Sequence, residues 1–455
     1  MSAPSGPAFS SRTERLLSAP VLPMILRLSA PGLLLVAFTT LVSIGDTYFV
    51  GRLGTEPLAG LALVFPMLSL LQMTSAGAMG GGVSSAIARA LGAGDQPTAR
   101  RLVVHALVIA LAMGAAFTLL LLTLGRPFYR LLGGEGIALE SALAYSHVVF
   151  AGAALVWVAN TFSSMLRGTG NTLTPALALM TISILHLPLS GSLVLGWGPM
   201  PRLGIAGAGV AYVSTFGLAT LILGWVVLRP ASTLRPHAGD LRLEWRLFRE
   251  ILRVGAISVL SALQTVLGAL LVTGFVARFG SAAVAGYGVG LRLELLQIPI
   301  VFAIGQALVA LVATHVGAGR AERAKQIAWT GAAMAACVSL SIGAVVTVFP
   351  HAWVALFSSD PAVLAAGGSY LRTVGLAYPF LALGSTLYFA AQGAGKVLLQ
   401  VLSRTVQLVL VIGGGFLVLA AGAQLGAIFA LIALGLVVFG TLSALAVART
   451  NWAAR

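Results

Sequence analysis

Charge is what this chain has least of. Only 9% of its 455 residues are charged, and 12 of those are acidic against 27 Lys and Arg. A soluble protein of this length could not cover its surface with so few charges. A bilayer removes that requirement, because a helix facing lipid needs no polar exterior. The formal net charge of +15 would suit nucleic acid. The basic residues, however, fall in short clusters between apolar runs rather than along one face, so no nucleic-acid partner is expected. The single cysteine, Cys337, lies in an apolar run, and one thiol excludes an internal disulfide framework. No Gly-x-x-x-x-Gly-Lys-Ser/Thr loop is present, which argues against an ATP-driven pump. Gly80-Gly81-Gly82 lies in an apolar run with no nucleotide-binding strand before it. No His/Cys cluster offers a metal site, and no nucleophile–base constellation marks an enzyme. The first 23 residues lack a sustained apolar core. They read as a cytoplasmic tail rather than a cleavable signal peptide.

What is abundant is apolar: 58% of residues are hydrophobic, and mean hydropathy is +1.00. The apolar pattern is also stated twice. Phe49-Val50-Gly51-Arg52-Leu53-Gly54 reappears as Phe275-Val276-Ala277-Arg278-Phe279-Gly280, an offset of 226, and Ala59-Gly60 recurs at Ala285-Gly286. One residue slips thereafter. Gly92-Ala93-Gly94 matches Gly317-Ala318-Gly319, Tyr145 matches Tyr370, and Gly168-Thr169-Gly170 matches Gly393-Ala394-Gly395, all 225 apart. Two homologous apolar halves are a common plan for machines that alternate access across a bilayer.

A spanning helix needs about 20 mostly apolar residues. Breaking the chain at charged or Gly/Pro-rich connectors yields six such runs per half: near 28–51, 58–84, 102–125, 138–162, 173–196 and 204–228, then 251–277, 283–312, 327–349, 362–391, 397–421 and 424–447. The expected fold is an all-α polytopic membrane protein. Its twelve transmembrane helices form two homologous six-helix bundles around a central cavity. The domains read as a tail (1–27), an N-lobe (28–229), a polar, partly helical linker (230–250), a C-lobe (251–447) and a second tail (448–455). With the N-terminus inside, twenty of the 27 basic residues fall on the cytoplasmic side, Arg404 among them. Six fall opposite (Arg52, Arg126, Arg130, Arg202, Arg278 and Arg372), and Arg292 lies within a span. This asymmetry places both termini in the cytoplasm of, most simply, a bacterial inner membrane.

Only two acids, Asp46 and Glu294, fall well inside spans. A carboxylate in hydrocarbon costs roughly 2.5–3.5 kcal/mol, so each should face a cavity or find a partner. Asp46 lies six residues before Arg52, roughly 9 Å below the outer rim at 1.5 Å per residue. It is the primary candidate for ion coupling, its alternative being a structural acid paired with a neighbouring helix. Glu294 is the secondary candidate. Arg292 is two residues away and cannot face it on a helix, so a structural pair with another helix is an equal reading. His186, deep in the fifth span and two residues before Pro188, could titrate near neutral pH. It could equally bond a carbonyl that the proline frees. Gly77-xxx-Gly81 and Gly286-xxx-Gly290 indicate close helix packing rather than chemistry.

The residues quoted so far resemble the multidrug and toxic compound extrusion (MATE) transporters over essentially the whole chain. Gly45-Asp46-Thr47-Tyr48-Phe49-Val50-Gly51-Arg52-Leu53-Gly54 is similar to the family's first-span signature. Arg167-Gly168-Thr169-Gly170-Asn171-Thr172 is similar to the turn after its fourth span, and Gly204-Ile205-Ala206-Gly207-Ala208-Gly209-Val210-Ala211 to the start of its sixth. The resemblance implies export of organic, often cationic, compounds in exchange for entering H+ or Na+, with no cofactor beyond the coupling ion. It implies that Asp46 is the N-lobe ion site and that Pro31 is the proline at which the first span bends in the DinF-like branch. The sequence departs from the NorM-like branch, with Gln264 in place of its seventh-span glutamate and no acid near Ala382. It also departs from the DinF-like branch. His186 and Ser190 stand where that branch has Asn and Asp in the fifth span, and Tyr212 is aligned with a sixth-span threonine. The expected ion-coupling set is therefore Asp46, His186, Ser190 and Tyr212, with H+ favoured over Na+. Asn160, Gln264 and Trp157 are candidates for the substrate cavity. The partners implied are a small organic substrate and the lipid bilayer, with the chain acting as a monomer. The rival readings are a flippase for lipid-linked saccharides, which should line its cavity with several arginines, and, from other classes, a channel, a membrane enzyme or a non-transporting scaffold.

Overall fold

A computed structural model describes residues 11–453. The chain is helical almost throughout: α1 (Ser11–Ser18), α2 (Val21–Gly51), α3 (Thr55–Gln72), a π-helical segment (Met73–Met79), α4 (Gly80–Gly92), α5 (Gln96–Leu131), α6 (Gly136–Ala151), α7 (Ala153–Gly168), α8 (Leu173–Leu195) and α9 (Ile205–Leu228). A 3-10 turn (Ala238–Leu241) precedes α10 (Trp245–Ala277), α11 (Ser281–Gly317), α12 (Ala321–Val348), α13 (Pro350–Val354) and α14 (Pro361–Val374). A second 3-10 turn (Gly375–Ala377) leads into α15 (Tyr378–Ala394), α16 (Leu398–Ala420) and α17 (Leu425–Arg449). No strand occurs among the described residues.

Among the described residues, eleven helices are long and apolar enough to cross a membrane, and the bent pair α6–α7 makes a twelfth. That pair departs from the simple run expected over 138–162: the chain turns by 50° at Gly152. Two further boundaries shift. α2 begins at Val21, inside the stretch read as a tail, because the apolar run resumes directly after Pro20. α10 begins at Trp245, so the end of the polar linker is the first turns of a spanning helix.

The chain divides into two compact units. Leu28–Gly255 form most of one, and Ala256 onward, with Arg15–Arg27, the other. In the first, Tyr129, Phe150 and Trp157 are fully buried in a core that also takes Leu234, Leu247 and Ile251 from beyond α9. In the second, Tyr370, Tyr378 and Phe429 anchor the core.

The repeated motifs have physical causes. Gly54 and Gly280 take φ of 127° and 98°, Gly94 and Gly319 take 77° and 73°, and Gly170 and Gly395 take 76° and 72°. These are left-handed conformations in which a Cβ would clash, so glycine recurs at each helix end. Gly60 and Gly286 recur for a different reason. A Cβ on Gly60 would strike Ser141 and the backbone of Ala138 and Ala142, and one on Gly286 the backbone of Val363 and Gly367. The α3–α6 and α11–α14 pairs thus approach through equivalent glycines.

Beyond α9 the chain is pinned to the end of α5. Arg100 Nε lies 3.0 Å from Asp240 Oδ2, Arg101 Nη1 lies 2.7 Å from Glu244 Oε1, and the Glu244 backbone N–H donates to His105 Nε2 at 2.8 Å. Burial works against ionisation of Asp240. The His237 backbone N–H and the Arg100 guanidinium outweigh it and hold the carboxyl below its ordinary value.

Candidate ion-coupling site

Asp46 lies one turn from the end of α2, and α8 meets it with two side chains. His186 Nε2 is 3.0 Å from each carboxylate oxygen, and Ser190 Oγ donates to Oδ1 at 2.5 Å. His186 and Ser190 are four residues apart and therefore share a helix face. The helices approach because glycine opposes bulk at two points. A Cβ on Gly45 would overlap the Leu187 side chain, and one on Gly191 would overlap Phe49 and Trp197. The Phe49 and Trp197 rings close this contact edge to face at 5.6 Å.

The cluster is withdrawn from solvent. Asp46 is 8% exposed, His186 2% and Ser190 0%. On the far side of the imidazole, Nδ1 lies 3.4 Å from Thr215 Oγ1 on α9. Thr215 bonds back to the carbonyls of Ala211 and Tyr212 at 2.8 and 3.0 Å. The α9 threonine that touches the site is therefore Thr215, one turn beyond the position aligned from the sequence. A threonine at helical spacing from Tyr212 was the available signal.

Tyr212 belongs to a second network. Gln72 Nε2 donates to its hydroxyl at 2.6 Å, and Asn160 Nδ2 donates to Gln72 Oε1 at 3.0 Å and to Ser75 Oγ at 2.8 Å. Gln72 and Ser75 flank the start of the π-helical segment, a local widening often found at functional sites. Asn160 is thus occupied within this network. Trp157 is fully buried and tilted against Phe117, with ring centroids 6.0 Å apart. Its ring is part of the buried core of the first unit.

In the second unit, Gln264 Nε2 donates to Thr405 Oγ1 at 2.7 Å, while its Oε1 has no partner. Glu294 Oε2 accepts from Tyr370 Oη at 3.1 Å. Arg292 does not pair with it; its guanidinium lies 5.0 Å from the centre of the Phe357 ring. Arg404, grouped in the sequence with the cytoplasmic basic residues, lies six residues inside α16 and is half-buried. Arg404 therefore lies within a span, as Arg292 does. Pro31 is buried in α2, which runs through it as one helix. No group of three or more His, Cys, Asp or Glu able to hold a metal occurs among the described residues.

The MatE family model matches residues 31–190 and 256–417, one match in each half. The chain belongs to the MatE family. It is a multi-pass membrane transporter, not an enzyme. A protein of Shewanella oneidensis named FAD transporter is 30% identical over 378 residues, covering 82% of each chain. A probable multidrug resistance protein NorM of Thermotoga maritima is 27% identical over 380 residues, covering 82% of this MatE protein and 80% of that one. A solved structure of a multidrug resistance MATE family transporter in an outward-facing conformation superimposes with a TM-score of 0.88 at 24% identity, covering 98% of this chain and all of the other.

Proposed function

We propose that this MatE protein exports small organic compounds, cationic ones among them, in exchange for protons entering through the Asp46–His186 pair. The observation that carries this reading is the 3.0 Å contact between His186 Nε2 and both Asp46 oxygens. Thr215 directs its hydroxyl at backbone carbonyls, so an oxygen lone pair faces His186 Nδ1, which then carries a hydrogen. A carboxylate and an imidazole lone pair cannot sit 3.0 Å apart without repulsion. A proton between them turns that repulsion into a charge-assisted hydrogen bond. Proton binding thus ties α2 to α8, and proton loss lets them part.

Helix α2 would answer at Pro31, where a missing N–H weakens the backbone ladder. For such a change to drive transport, proton and cargo must bind the two access states with different affinity. Gln264, and the lack of an acid near Ala382, favour protons over sodium and lean toward the DinF-like branch. With Arg404 counted inside its span, the nineteen-to-six distribution of basic residues supports cytoplasmic termini in the inner membrane. The N- and C-lobes at 28–229 and 251–447 act together as a monomer. Flavin-bearing cargo is a second reading, favoured by the name of the Shewanella relative.

The test is efflux of ethidium from everted vesicles under an imposed proton or sodium gradient, comparing wild type with Asp46→Asn. The proton gradient should drive wild-type efflux, and Asp46→Asn should lose it while still binding ethidium. Undiminished efflux in the variant, or efflux following sodium, would overturn the reading.

A further inference from the structure

Arg404 is a cation inside a spanning helix with no acid in direct contact with it. It lies about 9 Å along α16 from Leu398 at 1.5 Å per residue. A guanidinium at such depth is costly unless protein or water receives it. Its partners are all neutral: Nη1 donates to Gln407 Oε1 at 2.9 Å, and Nη2 donates to Thr265 Oγ1 at 3.2 Å. Its Cζ lies over the Phe439 ring, 4.6 Å from the centroid. Among the described residues no carboxylate oxygen comes within 4.0 Å of it. Glu294, the intramembrane acid of the same unit, accepts a hydrogen bond from Tyr370 and acts on Arg404 only through space.

A guanidinium has five N–H donors, and only two of Arg404's are used within the protein. One residue along on each helix, Gln264 bonds Thr405 through Nε2, and its Oε1 is left without a partner although the side chain is only 8% exposed. Thr405 gives its own proton to the Val401 carbonyl, so an amide flip would not satisfy that oxygen. Two groups with unmet hydrogen-bonding capacity thus sit on adjacent rungs of the α10–α16 contact: three donors on a half-buried guanidinium, and one buried acceptor. Buried polar groups are ordinarily satisfied. What would satisfy both is an anionic group carrying, or adjoining, a hydrogen-bond donor.

We propose that Arg404, with Gln264, Thr265 and the face of Phe439, forms a subsite in the C-terminal unit for the phosphate or carboxylate of an organic anion. The subsite deepens the export reading, on which it rests, by extending the cargo to compounds with an anionic group. Guanidinium suits this role because its planar fork matches carboxylate and phosphate in pairs of bonds. The same chemistry is offered by an anionic lipid headgroup, so the source must be separated by experiment.

The protein in nanodiscs of phosphatidylcholine alone would be titrated with riboflavin and with flavin mononucleotide, which differ by one phosphate, and binding read from flavin fluorescence. The expected result is at least tenfold tighter binding of the phosphorylated flavin, loss of that preference in Arg404→Gln and its partial return in Arg404→Lys. Equal binding of the two flavins by wild type, or an undiminished preference in a folded Arg404→Gln, would overturn the proposal. Thr265→Val provides a second variant, expected to weaken the preference without removing the charge. Adding phosphatidylglycerol separates the sources. Competition with the phosphorylated flavin would place a lipid headgroup at Arg404, and its absence a soluble anion. Asp46→Asn should keep the preference, so a failure of proton-driven efflux alone would count against the coupling site and not against this one.

Discussion

His186 Nδ1 and Thr215 Oγ1 face each other at 3.4 Å, on the side of the ring away from Asp46. The ring is therefore bracketed by α2 and α9, and its Nε2 has one direction to serve. Removing the ring should cost more than removing its bracket. His186→Ala is expected to lower proton-driven efflux at least tenfold. Thr215→Val should lower it only a few-fold and shift the pH at which efflux is half-maximal, because it acts by positioning the ring. Equal losses with no change in pH profile would mean that both side chains serve packing alone. Efflux rates from pH 5.5 to 8.5 decide between these.

Asn160 joins Gln72 and Ser75 in one network, so its removal leaves Gln72 Oε1 without a donor, while Ser75 keeps its bond to the Leu71 carbonyl. Asn160→Ala should destabilise the protein by about 1–3 kcal/mol, the cost of abandoning a polar partner. Because Gln72→Leu takes away that partner, the double variant should lose less than the two single losses together. Thermal unfolding midpoints in detergent for the four proteins would measure the coupling.

Gly207 and Gly274 make opposite predictions from one substitution. A Cβ on Gly207 would lie 2.5 Å from the Leu193 carbonyl oxygen, whereas one on Gly274 would meet nothing within 4 Å. Gly207→Ala should force α8 and α9 apart and cost about 1–3 kcal/mol. Gly274→Ala should leave stability unchanged or raise it by about 0.5–1 kcal/mol through helix propensity. Comparable losses at both sites would show that the α8–α9 approach is not limiting.

The fold was legible because its signals are long: apolar runs of spanning length, and glycines repeated where the backbone turns left-handed. Asp46 and His186 were legible too, since a carboxylate and an imidazole stand out in apolar runs, whereas Ser190 was reached only through the resemblance to the family's fifth span. What escaped is set by distance in the chain. Gln72 meets Asn160 across 88 residues, and Thr215 meets His186 across 29, with no local pattern to announce either meeting. Arg404 misled because the charge tally assigned it to the nearest membrane surface, whereas its neutral partners keep it inside the helix bundle.

Asp240 makes the last prediction, in the segment between the halves. Its carboxylate receives Arg100 at 3.0 Å and the His237 backbone N–H at 3.0 Å. These contacts keep it ionised in the folded protein below its ordinary value of 3.8. A carboxyl with a depressed folded value stabilises the fold fully above the unfolded value, and that contribution is lost as pH falls through the folded one. The segment should therefore stay protected from pH 7 to about 5 and loosen progressively below the ordinary carboxyl range. Asp240→Asn should be loosened at every pH, because the amide cannot hold Arg100 as an ion pair. Hydrogen exchange over residues 232–244 would measure both effects. Unchanged protection in Asp240→Asn at pH 7 would assign the attachment instead to the Arg101–Glu244 and His105–Glu244 contacts.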